Sequence, residues 1–393
     1  MMTSSCDPEQ LRTLFLLDPH IHFLNHGSFG ACPRPVFEDY QSWQRELERQ
    51  PVLFLGRNYP ALDRQVREVL AEALHTRADN LALVPNATHG VNILAHSLHL
   101  APGDEVLATD HEYGACEATW EFYCQRMGAK YVRQPLRLPV ASKDELLDQF
   151  WEGVTPRTRV IFLSHITSPT ALTLPVKEIC ARARQQGVLT IVDGAHAPGQ
   201  IDLDLEAIGA DFYTGNCHKW MLSPKGAGFL YARPEMQRLI EPLVVSWGYR
   251  NRTGSPLVDY LQWTGTHDPA AALAVPAAIR FMEEYRWGEV RKTCHDRLRW
   301  TVEHLCALVG KSPLYPLDSD LYYQMAIAPL PETTDLQVLK DRLYDEFQVE
   351  VPFIEWNGNK FVRVSVQGYN TREDVEALCR GLEELLPQVQ QGR

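Results

Sequence analysis

Apolar residues recur at two different periods along the chain. In "PVFEDYQSWQRELERQ", Phe37, Tyr40, Trp43 or Gln44, and Leu47 fall near helical spacing. In "ALDRQVREVLAEALH", Leu62, Val66, Val69, Leu70 and Ala73 do so more cleanly, so both stretches predict amphipathic helices. The preceding "FLNHGSFGACPRPV" crowds Gly27, Gly30, Pro33 and Pro35 together and predicts an ordered loop rather than a regular element.

Further along, strand and helix signals alternate. "NLALVPNATHGVNILAHSL" predicts a short strand, a small-residue turn at Asn86-Ala87-Thr88, and a helix with Val91, Leu94, Ala95 and Leu98 inward. "RVIFLSHITSPTALTLPVKEICARARQQGVLTIVDGAH" predicts a βαβ unit. Its strands "VIFLS" and "VLTIVD" are apolar throughout, as expected where helices cover both faces of a parallel sheet. "GDEVLATDHEYGA", "ADFYTGNCHKW" and "GAGFLYAR" each hold another strand. The fold class is therefore α/β, a mostly parallel sheet covered by helices. After about residue 270 the pattern changes to the alanine-rich helix "PAAALAVPAAIRFMEEY", then short strands at "YYQMAIAP" and "FVRVSVQGYN" among helices. This divides the chain into an N-terminal segment with a large domain, 1–270, and a smaller α+β domain, 271–393.

Four of the predicted strands end in polar clusters: His111-Glu112-Tyr113, Ser164-His165, Asp193-Gly194-Ala195-His196 and Asn216-Cys217-His218-Lys219. Ligands of open α/β sheets bind outside the carboxyl ends of the strands, so one shared site is expected there.

Composition narrows the picture mainly by exclusion. The 393 residues are 45% hydrophobic and 22% charged, and 38 basic against 50 acidic side chains leave a net charge of −12. That acidity, without blocks of like charge, disfavours nucleic acid and anionic membrane as partners. Nine cysteines without a C-x-x-C predict reduced thiols. The N-terminal "MMTSSCDPEQ" lacks a basic region followed by an apolar run, and no apolar stretch approaches a membrane span, so a cytoplasmic location is expected. "HEYGA" is not H-E-x-x-H and no Cys/His cluster has zinc spacing, so no metal site is expected. "KGAGF" matches neither phosphate-loop nor dinucleotide fingerprints.

The strand-end residues fit the needs of pyridoxal phosphate. That cofactor requires a lysine for its aldehyde and a carboxylate for its pyridine nitrogen. Its phosphate suits N–H groups at a helix N-terminus. Lys219 and Asp193 fill the first two places, the turn before residue 89 fills the third, and Tyr113 can stack on the ring. Taken singly, Asp193 can also be a turn cap, Tyr113 packing, and Asn216 a turn former; their order and placement carry the argument.

With these residues in view, the chain resembles the class V aminotransferase family of fold-type I pyridoxal phosphate enzymes, in the isopenicillin N epimerase-like branch related to cysteine desulfurases. The motifs are "FLNHGSFGACPRPV", "NATHGVN", "DHEYGA", "SHITSPTALTLPVKEI", "VDGAHAPG", "DFYTGNCHKW" and "RVSVQGYN", spread from Phe23 to Tyr369. The resemblance implies Lys219 as the Schiff-base lysine and Asp193 as partner of the pyridine nitrogen. It puts Ser168 and His196 near the phenolic oxygen, where many relatives have asparagine and glutamine. Tyr113 falls where many relatives stack a histidine. Ala87, Thr88, His218 and Asn216 hold the phosphate, and Thr266 reaches the phosphate of a partner subunit, which implies a homodimer. Arg363 takes the carboxylate of an amino-acid substrate, with Asn25, Gly27 and Ser28 nearby. Lys225 is expected to be a solvated turn charge.

One departure bears on the reaction. Desulfurases of this family carry a persulfide-forming cysteine shortly before the carboxylate-binding arginine, whereas "VEVPFIEWNGNKFVRVS" has none. The expectation is chemistry at the α-carbon: proton abstraction by Lys219, with Tyr113 or His26 as a second acid for epimerisation. A C–S β-lyase that releases pyruvate and ammonia is the alternative; aminotransfer and a catalytically dead binding protein rank below both.

Overall fold

The computed structural model describes residues 7–252 and 254–389; Cys6 and the rest of the extreme N-terminus discussed above lie outside the described residues. A seven-stranded sheet forms the centre, in the order 81–84, 228–232, 212–216, 189–194, 158–164, 105–109, 130–134. Pairing is parallel from 212–216 outward to 130–134, and Gly228–Ala232 runs antiparallel to both of its neighbours. The strand Lys130–Gln134 and the helix Gly114–Met127 before it carry no strong apolar period, and the sequence pattern left them unmarked.

The apolar strands are buried on both faces for a simple geometric reason. Successive side chains point to opposite sides of a strand. In Thr158–Ser164, Val160 and Phe162 join one hydrophobic cluster while Ile161 and Leu163 join the other. Two cores thus sandwich the sheet, and the polar clusters gather at its strand ends.

A second sheet of three antiparallel strands, in the order 353–356, 359–365, 325–329, is built wholly from the later sequence. The N-terminal segment crosses to that region. His22–Phe23 pairs in parallel with Val349–Glu350, and His22 and Arg12 both bind the Asp374 carboxylate. The stretch expected as an ordered loop therefore begins on the end of the strand His22–Phe23 and contains a short helix, His26–Phe29, before running into the helix Arg34–Arg49. Glycines make that close seating possible. A Cβ on Gly27 would stand 2.6 Å from Met325 Sδ, and Gly30, at φ +72°, lies against the backbone of His218 and Lys219. No helix of the described residues is long and apolar enough to cross a membrane.

Candidate active site

At the carboxyl ends of the central strands is a cavity of about 220 Å³ that collects the polar clusters into one place. Ser28, Thr88, Tyr113, Ser168, Asp193, His196, Asn216, His218 and Lys219 all line it, as do Asn86, Ala87 and Ser164. Larger depressions of about 820 and 590 Å³ elsewhere contain none of Asp193, Lys219 or Asn216 in their walls. Convergent chemistry rather than size marks the site.

Asp193 ends its strand only 3% exposed. Its Oδ1 accepts from the Ala195 N–H at 2.9 Å and its Oδ2 from the Cys116 thiol at 3.4 Å. Burial raises its pKa, partly opposed by those donors and by the charge of Lys219, and it forms no ion pair among the described residues. A buried carboxylate in that condition suits a protonated pyridine nitrogen.

Lys219 lies where the next strand runs into a turn. Burial, then the positive charge of Arg363, lower its amine to about 8, against the opposing pull of Asp193. Nζ is 3.2 Å from His196 Nε2. His196 is itself pushed well below its ordinary value by burial and by neighbouring cations.

The turn at Asn86 caps the helix Ala87–Ser97, with Asn86 Oδ1 accepting from the His89 N–H at 2.9 Å. Asn216 Oδ1 accepts from the Ala87 N–H at 2.8 Å. That bond alters two expectations: Ala87 spends its donor on Asn216, and Asn216 braces the turn while keeping its own amide group. The Thr88 N–H and hydroxyl are what the first turn still offers an anion. His218 Nδ1 donates to the Ala227 carbonyl at 3.1 Å, and burial lowers its pKa to about 4. In that state it presents a lone pair; a bound dianion would favour its protonated form.

Arg363 arrives from the small sheet, 5% exposed. Its Nη1 donates to the Ser168 carbonyl at 2.5 Å and its Nη2 to Ser28 Oγ at 3.1 Å, while Nε is buried without a partner. No carboxylate pairs with it among the described residues, and burial lowers its pKa to about 10. The guanidinium thus sits behind Ser28 and Ser168 rather than in the cavity wall, so Ser168 contacts Arg363 in addition to facing the cavity.

Four expected residues lie elsewhere. His26 is fully buried and does not reach the cavity. Its Nδ1 meets Tyr369 Oη at 2.9 Å, its Nε2 the Lys219 carbonyl at 3.0 Å, and burial lowers its pKa to about 3. With both ring nitrogens engaged it supports the lysine backbone and cannot serve as the second acid. Asn25 and Gly27 also stand behind the wall: Asn25 joins Glu350 to Ser28, and the Gly27 N–H donates to Ser365 Oγ. Thr266 is exposed and outside this chain's own cavity. Tyr113 lines the cavity rim with its side chain 48% exposed. Lys225 is more than a solvated charge, since its Nζ donates to the Gly30 carbonyl at 2.9 Å and pins the N-terminal loop.

The geometry adds Glu112, Cys116 and Trp220. Glu112 accepts from Thr109 Oγ1 and from both the N–H and Oγ of Ser164, and burial raises it to about 8. Its place in a strand-end cluster was the one available signal. Cys116 sits within a helix without a distinguishing pattern, and Trp220 was visible only as the neighbour of Lys219.

The sequence signature described as Aminotransferase class-V spans residues 38–315. The chain belongs to the class V aminotransferase family. Like the family it belongs to, it is an enzyme that uses pyridoxal phosphate, and the unpaired Asp193, the Lys219 amine and the Thr88 turn fit that group. It is 39% identical to isopenicillin N epimerase of Amycolatopsis lactamdurans, over 94% of this chain and 96% of the relative. It is 30% identical to a probable chloroplastic L-cysteine desulfhydrase of Arabidopsis thaliana, over 92% and 82%. Its fold matches the apo structure of a cysteine desulfurase from Thermococcus onnurineus NA1 with TM-score 0.83 at 19% identity, over 98% of this chain and 99% of that one.

Proposed function

We propose that the protein removes and returns a proton at the α-carbon of an amino acid or amino-acid-derived substrate, in an isopenicillin N epimerase-like reaction. The observation that carries this reading is the pairing of a lysine amine lowered to about 8 with a buried, unpaired guanidinium beside one cavity. Pyridoxal phosphate, when bound, supplies the electron sink that acidifies the Cα–H bond. Asp193 would hold its pyridine nitrogen, Thr88 and His218 its phosphate, and His196 its phenolic oxygen.

Arg363 orients the substrate by its α-carboxylate. Fork geometry allows two parallel hydrogen bonds, and the carboxylate supplies the charge that Arg363 lacks among the described residues. Ser28 and Ser168, which now occupy the terminal nitrogens, would yield those bonds or share them. Lys219 then serves as the base, because an amine lowered to about 8 is free for part of the time near neutral pH and is matched to proton transfer. Tyr113, at the open rim, is the candidate acid for the opposite face.

The supporting arguments extend to assembly and setting. A homodimer would let Thr266 of the partner subunit complete the phosphate site, a role that the exposed position of this chain's own Thr266 leaves open. The cysteines among the described residues are free thiols, which suits the reducing cytoplasm.

A C–S β-lyase is the second reading, favoured by the 30% identity to the probable L-cysteine desulfhydrase. A persulfide relay is not proposed, because the hairpin before Arg363 has no cysteine and its tip is clamped to the large sheet. Trp356 Nε1 donates to the Asp110 carbonyl and Asn357 Nδ2 to Asp110 Oδ2, both at 2.8 Å.

The test is proton NMR of the enzyme with L-amino acids and cysteine derivatives in deuterated water. Loss of the α-proton signal from an otherwise intact amino acid, followed by chiral analysis, supports epimerisation. Pyruvate instead establishes β-elimination. A panel that shows neither α-proton loss nor pyruvate would overturn α-carbon chemistry on these substrates.

A further inference from the structure

Trp220 follows Lys219 directly, and its indole is completely buried. An indole Nε1–H can donate a hydrogen bond but cannot accept one. Its acceptor is His196 Nδ1, at 3.2 Å. A neutral imidazole that accepts at Nδ1 carries its proton on Nε2. His196 is neutral because burial and the charges of Lys219 and Arg363 oppose its protonation.

The same ring presents Nε2 to Lys219 Nζ at 3.2 Å. With the proton fixed on Nε2, His196 can only donate across that contact. An ammonium there would set N–H against N–H, whereas an amine lone pair completes the bond. We infer that Trp220 is a positioning residue: it locks His196 as the Nε2–H tautomer, which selects the unprotonated amine of Lys219 and leaves a fixed donor beside it.

Other groups act on the same pair without choosing the tautomer. Asp193 from the adjacent strand and Cys116 from the helix Gly114–Met127 favour the ammonium, while Arg363 from the small sheet disfavours it. His218 in the lysine turn and His26 from the N-terminal segment would add to the charge opposing a protonated His196 only when themselves protonated, and burial keeps both neutral near neutral pH. Gln200 Nε2 holds the His196 backbone carbonyl at 2.7 Å, so the ring has little freedom to leave the indole. The lock also suits the residue type. A glutamine amide, expected here in many relatives, has no tautomer to choose, whereas a histidine does.

The tautomer follows from the chain alone; its consequence for cofactor capture rests on the function proposed above. The experiment is long-range proton–nitrogen NMR on the full chain with 15N-histidine and without cofactor, His196 being identified by its loss in His196→Gln. The expected pattern is the Nε2–H tautomer through neutral pH. An Nδ1–H or doubly protonated His196 in the wild type overturns the inference without any further variant.

Trp220→Phe keeps an aromatic ring and removes the donor. It is expected to give mixed tautomers and to raise the pH midpoint for capture of pyridoxal phosphate, read from the growing visible absorption, by about one unit. An unchanged midpoint overturns the link to Lys219. In a His196→Gln background the same substitution should leave the midpoint where it was; an equal shift there would mean that the indole acts by packing, and the lock would be wrong. Failure of the wild type to capture the cofactor would sink the proposed function while the tautomer measurement still stood.

Discussion

Asp193 and Arg363 are opposite charges buried on two sides of one site, at 3% and 5% exposure, and neither has an ion-pair partner among the described residues. The two sides are built differently. Asp193 stands on the central sheet, where Ala195 two residues on and Cys116 across one helix hold its carboxylate. Arg363 is assembled from distant parts: Ser28 of the N-terminal segment, Ser168 of the large sheet's loops and its own strand in the small sheet. Under the proposed function the two sides divide the work: the side built around one sheet would hold the cofactor, and the side assembled from three segments would hold the substrate. An unpaired buried charge is costly, and under the proposed function each one here would be offset by a group of opposite charge on the cofactor or substrate.

The largest way to break this comparison is to remove the amine between the two sides. Lys219→Ala should lower α-proton exchange by about a thousandfold or more and abolish the visible absorption of the purified protein. A variant that remained coloured and active would remove Lys219 from the chemistry. Next, Asp193→Asn should reduce exchange by about a hundredfold, the scale of losing one preorganised electrostatic group, with weaker retention of the cofactor on dialysis. If Asp193 serves only as a turn cap, asparagine will retain nearly full activity.

The substrate side should respond in a different parameter. Arg363→Lys keeps the charge but loses the fork, so KM should rise by about ten- to a hundredfold while the absorption spectrum stays unchanged. An altered spectrum would mean that Arg363 serves the cofactor side, and the division of tasks would fail.

The smallest effect concerns pH. Glu112 is raised to about 8, so between its ordinary value of 4.5 and that point the folded protein holds a proton that the unfolded chain has released. The unfolded state then binds fewer protons, and stability falls as pH rises through this window. Glu112→Gln imitates the protonated form and should flatten the decline by about 1–3 kcal/mol between about pH 6 and 8 in urea unfolding. The slope should not vanish, because Asp193 is raised as well. A parallel decline in both proteins would show that Glu112 is ionised in the fold.

The sequence by itself determined the parallel sheet and the convergence of its polar strand ends on one edge. Continuous apolar strands require cover on both faces, and each such strand ends at the same edge, so the residues just past "VIFLS", "VLTIVD" and "ADFYTGN" had to meet. Lys219, Asp193 and Thr88 were legible because chain direction alone places them. What His26 does was decided only in three dimensions: a histidine in a glycine-rich loop looks available for proton transfer until Tyr369 and the Lys219 carbonyl occupy both its nitrogens. The same holds for Asn216, which braces Ala87, and for Cys116 and Trp220, which touch Asp193 and His196 from other elements. Periodicity records which face a residue takes, but a hydrogen bond depends on atoms brought within about 3 Å by packing, and no one-dimensional pattern carries that distance.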